Sequence, residues 1–179
     1  VNANTVFTVT STVGGCSATD QVIVTTVPYP VANAGPDPTI CYNASVQLNA
    51  SITGSSFNWS PPNYLDNPLV LNPVASPPGT TQYILSAFDT QGCPKPGKDT
   101  ILVTILPKVV AFAGRDTSVI VGQPLQFNGT GGTGYLWTPG TSLSSTSIPD
   151  PIGNYDGSFD IIRYKLIVTD QAGCADSAY

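Results

Sequence analysis

The 179-residue chain contains no histidine, no glutamate and no methionine, and 9% of its residues are charged, against roughly 25% in an average soluble domain. Without histidine, the commonest general base and the commonest metal ligand are missing, so histidine-based catalysis and histidine metal sites are excluded. Because all eleven acidic residues are aspartate and Met is also absent, strong helix formers are scarce. Long helices are therefore not expected.

The low charge also limits the partners. With a net charge of −5 and six Lys and Arg residues, the chain lacks the basic clusters that phosphate backbones require, so nucleic acid binding is not expected. The longest apolar runs, 101–106 and 109–113, fall short of the roughly 20 residues that span a bilayer, and membrane insertion is not expected. No signal peptide is visible. Since the chain starts at Val1 without methionine, we expect a segment of a longer or processed protein.

What the chain does contain is typical of strands and turns. There are 17 Gly and 17 Pro, with abundant Ser, Thr, Val and Asn, a composition that favours short strands joined by tight turns. Alternating runs bounded by Pro, Gly or Asn predict strands at 45–51, 57–60, 70–75, 80–89 and 99–106.

An internal repeat organises the chain. The segment that begins Ala34-Gly35 recurs from Ala113-Gly114, 79 positions later, and Trp59-Ser-Pro recurs as Trp137-Thr-Pro. A Tyr-containing run and an Asp-x-x-Gly-Cys motif follow in the same order both times. The predicted domains are the last two strands of a preceding repeat (1–27), one complete repeat (28–107) and a second repeat lacking its final strand (108–179).

The repeated strand after position 80 has one apolar face. Tyr83, Leu85 and Ala87 alternate along it in the first repeat, and we expect this face to form the core. The corresponding core residues of the second repeat are Tyr164, Leu166 and Val168. About seven short strands in roughly 80 residues, with a Trp on the third strand, predict an all-β protein of tandem immunoglobulin-like sandwiches, with a small barrel as the alternative.

The ordered motifs resemble the PKD-type, Ig-like repeats of very large Bacteroidetes surface proteins. The motifs are Ala-Gly-Pro-Asp-x-Thr-Ile-Cys at 34–41, Trp-Ser-Pro at 59–61, Asn-Pro-Val-Ala-Ser-Pro at 72–77, Thr-Thr-x-Tyr at 80–83 and Asp-x-x-Gly-Cys at 89–93. Such proteins include gliding-motility adhesins exported by type IX secretion. The resemblance covers essentially the whole chain and implies β-sandwiches in a tandem array on the outer surface, with an adhesive or stalk function.

The four cysteines indicate an oxidising compartment and allow three complete pairings. Cys41 and Cys93 fall inside the one complete repeat, so we predict a disulfide between them. Cys174 then lacks its expected partner, because Ile120 stands where Cys41 stands in the first repeat, and we expect it to be a free thiol. Cys16 is expected to pair upstream of Val1, with a bond to Cys174 of a neighbouring molecule as the alternative. Zinc is disfavoured because no Cys-x-x-Cys pair or His is present.

Several aspartates are candidates for metal binding or catalysis. Calcium favours loop carboxylates, but single aspartates in turns usually cap backbone amides, so turn stabilisation is preferred and no cofactor is predicted. The acidic loop of the second repeat could supply an acid and a base for glycoside hydrolysis, yet a solvated loop is the favoured interpretation and no catalytic residue is predicted. The repeated carboxylates are Asp37, Asp89, Asp116 and Asp170, and those of the acidic loop are Asp150, Asp156 and Asp160.

Four surface candidates remain. Tyr64 and Tyr155, in irregular loops, are the predicted ligand-contact residues. Thr100 and Ser177 follow aspartates in short patterns that resemble the Asp-Ser/Thr-hydrophobic signal for O-glycosylation in Bacteroidetes, and they are the predicted modification sites.

These observations predict a non-enzymatic segment of an extracellular, cell-surface adhesin or filament protein. Short linkers at 25–30 and 106–110 would set the angle between repeats, and their prolines would stiffen them. The expected partners are neighbouring repeats, a surface polysaccharide or another surface protein, and head-to-tail copies of the chain itself. The alternative function is an accessory module of a secreted polysaccharide-degrading enzyme.

Overall fold

The computed structural model describes residues 4–90 and 95–179. Fifteen strands and no helix occur in these two ranges, so the predicted all-β class is confirmed. The chain divides into two compact units, unit 1 (Val1–Ile105) and unit 2 (Leu106–Tyr179). The strands are β1 (Asn4–Val13), β2 (Cys16–Thr25), β3 (Val31–Asn33), β4 (Thr39–Ile40), β5 (Val46–Gln47), β6 (Ser51–Thr53), β7 (Ser56–Ser60), β8 (Val74–Ala75), β9 (Thr81–Phe88), β10 (Gly97–Ile105), β11 (Pro124–Gln126), β12 (Gly134–Thr138), β13 (Ile152–Asn154), β14 (Lys165–Thr169) and β15 (Ala175–Ala178).

The N-terminal strands β1 and β2 form a separate antiparallel hairpin. Gly14 and Gly15 both have positive φ at its two-residue turn, a conformation that glycine adopts without steric cost. Val22 pairs with Phe7 in this hairpin, as Ile101 pairs with Tyr83 between β10 and β9. All residues of β1 and β2 are exposed, whereas Ile101 and Tyr83 are buried.

Unit 1 contains a four-stranded sheet in the order β4-β10-β9-β7. The central pairings are antiparallel, but β4 runs parallel to the end of β10, with Ile40 opposite Ile105. Two further antiparallel pairs, β3 with β6 and β5 with β8, complete the unit.

The core of unit 1 forms around Trp59 on β7 and the inward face of β9. Tyr83, Leu85 and Ala87 are completely buried, which confirms the predicted core face. On the opposite face Ile84 is half-buried and Phe88 is exposed. The remaining buried members of the cluster are Ala34, Leu48, Ala50, Leu65, Ala75, Ile101 and Val103.

The predicted strand 45–51 is interrupted in the structure. It forms β5 and the first residue of β6, separated by residues 48–50. The amide of Leu48 donates to the carbonyl of Pro73, and the amide of Ala50 donates to the side-chain oxygen of Asn72. Because two amides of this segment bond to a neighbouring loop, the strand breaks where the sequence pattern was continuous. Because Asn72 and Pro73 belong to this loop, only β8 remains of the predicted strand 70–75.

Unit 2 has a similar arrangement of strands, with fewer paired residues. Its three-stranded sheet has the order β12-β14-β15, and β11 pairs with β13. Tyr164, Leu166 and Val168 are buried together with Trp137, as predicted. Phe127 packs edge-on against Trp137 and against Tyr164, with ring centroids 5.2 Å apart in both pairs.

Candidate functional site

The buried aromatic residues of both units form matching hydrogen bonds. The indole N–H of Trp59 donates to the carbonyl of Leu71 at 3.1 Å, and that of Trp137 donates to the carbonyl of Ile148 at 3.0 Å. Buried Trp requires such an acceptor. These two contacts fix the position of the tryptophan in each core, and they support the prediction that the repeated tryptophan is a core residue and not a sugar-stacking one.

The core tyrosines have an equally matched role. Tyr83 donates from its hydroxyl to the carbonyl of Asn63, and Tyr164 donates to the carbonyl of Thr141. Burial raises the pKa of both phenols, because the ionised form loses its hydration. A hydrogen bond involving Tyr155 also raises the pKa of Tyr164. Both hydroxyls therefore stay protonated at neutral pH and tie the core to a loop.

Each unit also has a glutamine whose side chain bonds to the carbonyls of a loop. The side-chain amide of Gln47 donates to carbonyls including those of Asn72 and Pro73, and that of Gln126 donates to those of Asp150 and Pro151. Each glutamine therefore holds the loop that precedes β8 or β13. These polar side chains stabilise the scaffold.

Two corresponding aspartates each accept from the backbone amide of an alanine. Asp99 accepts from the amide of Ala34 at 2.8 Å, and Asp176 accepts from the amide of Ala111 at 2.9 Å. The amide of Ala111 lowers the pKa of the Asp176 carboxyl, with a further contribution from the amide of Ser177. The sequence indicated only a modification signal at these aspartates. It carries no signal for the caps, because the two bonded alanines stand at different positions of the aligned repeats.

Two of the repeated loop carboxylates accept from backbone amides. Asp170 accepts from the amides of Ala172 and Cys174 in its own turn, both at 2.9 Å, so turn stabilisation is confirmed for Asp170. Asp37 instead accepts from the amide of Leu102 on β10 at 2.8 Å, 65 positions away in the sequence. Within the described ranges, no three His, Cys, Asp or Glu side chains are grouped closely enough to hold a metal ion.

The acidic loop of unit 2 is solvated. Asp150, Asp156 and Asp160 are exposed, as the favoured interpretation predicted. Asp156 accepts from the hydroxyl and the amide of Ser158, and these bonds lower the pKa of its carboxyl. A general acid in glycoside hydrolysis needs a raised pKa, so the shift of Asp156 is in the opposite direction.

The two ligand-contact candidates differ. Tyr64 is 54% exposed and has a positive φ of 63°, matched by 64° at Ser142 in unit 2. The carbonyl of Tyr64 accepts from the amide of Ser76, so its backbone forms a structural corner while its side chain reaches solvent. Tyr155 also lies outside the strands, but it is half-buried and packs against the core of unit 2, and ligand contact by either tyrosine stays a prediction. The Tyr155 side chain fills space left by Gly153, where a Cβ would approach the Tyr155 hydroxyl.

The predicted glycosylation residues are accessible. Thr100 lies on β10 and Ser177 on β15, and both are exposed. The next residue in β10, Ile101, is buried, because successive strand residues face opposite sides. Their modification stays a prediction.

The cysteines differ from the expected pattern. Cys41 and Cys174 are both disulfide-bonded, so the expectation that Cys174 is a free thiol is wrong. Cys16 is a free, exposed thiol, which gives no support to a bond from it to Cys174. The predicted partner of Cys41, Cys93, lies outside the described residues. The sequence carries no signal for the bonded state of Cys174, because Ile120 stands at the position that Cys41 occupies in the first repeat.

A shallow concavity of about 260 Å³ lies on the hairpin, lined by residues of β1 and β2. Every buried side-chain nitrogen or oxygen atom in the described ranges has a hydrogen-bond partner. In the same ranges, no helix has the length and apolarity needed to cross a bilayer.

Comparison with known proteins adds no assignment. No protein-family model matches the chain, and no curated protein matches it.

Proposed function

We propose that the chain is a non-enzymatic segment of a secreted, cell-surface tandem-repeat adhesin or filament protein, and that its units act as rigid extracellular spacers. The observation that carries this proposal is the duplication of scaffold contacts. Trp59, Tyr83 and Gln47 each have a counterpart in unit 2 that bonds to the corresponding loop. A spacer needs the same rigid unit repeatedly, and this duplication supplies it.

We further assign each unit to the immunoglobulin-like sandwich of the PKD type. The sheet order β4-β10-β9-β7 in unit 1, with parallel pairing of β4 to β10, supports this assignment. In this assignment the pairs β3–β6 and β5–β8 form the opposing layer, and Trp59 packs in the core from β7. This arrangement agrees with the sandwich architecture.

An extracellular location is compatible with the disulfide-bonded state of Cys41 and Cys174, because disulfides persist mainly in oxidising compartments. Export by type IX secretion, gliding motility and attachment to a surface polysaccharide or protein belong to the proposal through the sequence resemblance. Tyr64, whose side chain is 54% exposed, is a proposed contact residue.

The stalk function is tested by stretching single molecules of a Cys41→Ser/Cys174→Ser chain. We expect discrete extension steps, one for each unit, each releasing roughly 250 Å of contour length from about 70 residues. A cooperative core that resists force gives such steps. Smooth extension without steps would contradict the spacer proposal.

The non-enzymatic part is tested separately by incubating the chain with soluble and insoluble polysaccharides. We expect no release of reducing ends above a heat-unfolded control, together with retention on the polysaccharide if the segment is adhesive. Release of reducing ends by the native chain alone would overturn the proposal and favour a polysaccharide-degrading enzyme.

A further inference from the structure

One face of the β1–β2 hairpin carries the same kinds of cross-strand pair as a buried face of unit 1. Both faces have four successive pairs in the same order: Thr with Val, an aromatic with a β-branched residue, an aliphatic residue with Asp, and two small residues. The hairpin pairs are Thr5–Val24, Phe7–Val22, Val9–Asp20 and Ser11–Ala18, and those of β9 and β10 are Thr81–Val103, Tyr83–Ile101, Leu85–Asp99 and Ala87–Gly97. The eight hairpin residues form the open face.

The two faces differ in what covers them. In unit 1, the pair Tyr83–Ile101 and the side chain of Leu85 are buried in one cluster with Trp59 and Ala34. Every residue of β1 and β2 is exposed, so the open face has the side chains of a core without the cover of one. Unit 1 therefore shows which kind of surface fits the open face.

A carboxylate lies in the middle of the open face. In unit 1, Asp99 occupies this position and accepts from the amide of Ala34 at 2.8 Å. Ala34 directly follows β3 and is completely buried. Asp20 instead accepts from the amide of its own neighbour Gln21. Because a carboxylate inside an apolar surface needs a hydrogen-bond donor, the surface that covers the open face must present a backbone amide to Asp20.

The open face is concave beside Asp20. The concavity has a volume of about 260 Å³. Its lining residues are Phe7, Thr8, Val9, Asp20, Gln21 and Val22. In unit 1 the cluster around the corresponding pairs includes Leu48 and Trp59. The matching surface therefore also needs apolar side chains that enter the concavity.

The outer edges of the hairpin match the edges that carry further strands in unit 1. There β7 pairs with the outer edge of β9, with Trp59 opposite Leu85. On the other side β4 pairs with the end of β10, with Thr39 opposite Thr104. In the described part of the chain, β1 and β2 form a sheet of two strands, and the edges of such a sheet can pair with added strands.

A second copy of the hairpin does not suit the open face. Side chains, not backbone amides, project from the face of a strand pair. Two hairpins packed face to face would therefore enclose both Asp20 carboxylates in an apolar interface without an amide donor, which is costly. A strand end such as Ala34, whose amide is not used in a ladder with β6, supplies the donor.

We propose that the open face binds the body of an immunoglobulin-like unit, meaning a set of strands equivalent to β3–β8. The residue after the first strand of that body donates its backbone amide to Asp20, and apolar side chains fill the concavity. The hairpin completes the body as β9 and β10 complete unit 1. The inference rests on the proposed tandem-repeat architecture, and it adds the contact surface and the role of Asp20.

The inference is tested by joining a second copy of residues 28–79 to Asn4 of the chain. The added segment supplies strands equivalent to β3–β8 in the register of unit 1, because Asn4 then takes the place of Thr80. It also brings a third tryptophan, the copy of Trp59. We expect the indole N–H of this copy to exchange about 100-fold more slowly than in the urea-unfolded chain. Exchange at the unfolded rate, while both natural indole signals stay slow, would overturn the inference and leave the spacer proposal intact.

Two valines of β1 provide a matched pair of variants in the extended chain. Val9 lies on the open face opposite Asp20, whereas Val6 lies on the other face, where unit 1 has Gln82. Val9→Gln should accelerate exchange of the third indole at least tenfold, and Val6→Gln should leave it unchanged. Equal effects of the two substitutions would contradict binding through the open face.

The role of Asp20 is tested by Asp20→Ala in the same extended chain. Removing the acceptor leaves the amide of the added segment without its partner, so the third indole should exchange about tenfold faster. The two natural indole signals should not change. An unchanged third signal would overturn the contact between Asp20 and the amide.

Sedimentation of the natural chain tests the other occupant, a second copy. We expect a mass that is independent of concentration, both in the parent chain and in Val9→Gln. A dimer that Val9→Gln abolishes would show that the open face takes a second copy and would overturn the proposed partner.

Discussion

Units 1 and 2 hold their tryptophan and tyrosine by the same contacts but fill the space around them differently. Unit 1 places Leu48 and Ala50 in its core. At the corresponding positions unit 2 has Phe127, which packs edge-on against Trp137, and Gly129, where an added Cβ would lie 2.7 Å from a Leu166 methyl carbon. Compared with unit 1, unit 2 thus has a larger residue at the first position and a smaller residue at the second, so the total side-chain volume changes little. Conserving total volume, rather than identity, maintains the scaffold.

The units also differ at one sheet edge. In unit 1 the parallel pairing of β4 with β10 covers this edge. In unit 2 the residues that align with β4, 118–119, form no strand, and the following Ile120 and Val121 are 78% and 62% exposed. The comparison indicates that the C-terminal end of a unit's last strand, β10 in unit 1, stabilises the segment that follows the unit's first strand, which is β4 in unit 1.

The largest expected effect comes from removing the central leucine of either core. Leu85→Ala and Leu166→Ala should each cost about 3 kcal/mol, because both side chains are fully buried, and each loss should be confined to its own unit. Urea unfolding followed by Trp fluorescence checks this, since each unit has one Trp: Trp137→Phe leaves unit 1 as the reporter, and Trp59→Phe leaves unit 2.

The matched control is Leu69→Ala, at a residue that is 84% exposed, which should change stability by less than about 0.5 kcal/mol. Equal destabilisation of both units by one leucine substitution would contradict their independence.

The different residue sizes at Phe127 and Gly129, compared with Leu48 and Ala50, lead to a second stability prediction. Gly129→Ala should destabilise unit 2 by about 2 kcal/mol, because the added methyl group overpacks Leu166 and Trp137. The double variant Phe127→Leu/Gly129→Ala, which installs the unit 1 combination, should recover at least half of that loss. A double-mutant cycle in urea measures the coupling, and simple additivity of the two substitutions would refute the volume argument.

Some features of the two units could be predicted from the sequence alone, and others could not. The repeat, the all-β class and the buried face of β9 followed from periodicity, which directly reflects burial. The contact of Tyr155 with the core was not predicted, because its irregular flanking sequence has no periodicity that would indicate burial. The bonded state of Cys174 was missed because periodicity reflects burial and carries no information on cysteine pairing.

The difference at the sheet edge predicts a gain of stability. Appending Val-Thr-Ile-Leu after Tyr179 supplies residues like those that end β10, and it should stabilise unit 2 by about 1.5 kcal/mol by burying part of Ile120 and Val121. Appending Gly-Ser-Gly-Ser is the control and should have no effect. Unchanged urea midpoints for both extensions would show that the edge needs no partner.

The smallest expected effect concerns the core hydroxyls. Tyr83→Phe and Tyr164→Phe should each cost about 1 kcal/mol at neutral pH through the lost hydrogen bond. Burial raises the pKa of both phenols in the folded state, so their contribution is complete below the unfolded pKa near 10 and is lost as pH rises through the folded value. Each Phe variant should therefore lose less stability than the parent chain above pH 10, and an unchanged alkaline slope would contradict this.

Hydrogen exchange at the two indole N–H groups tests most directly whether one scaffold is used twice. The chain contains two tryptophans, so a ¹⁵N spectrum shows two indole signals, assigned by Trp59→Phe and Trp137→Phe. Because each indole donates to a loop carbonyl from a buried position, both signals should exchange slowly, and each should be lost only when its own unit unfolds. Rapid exchange of either signal under native conditions would contradict the shared scaffold.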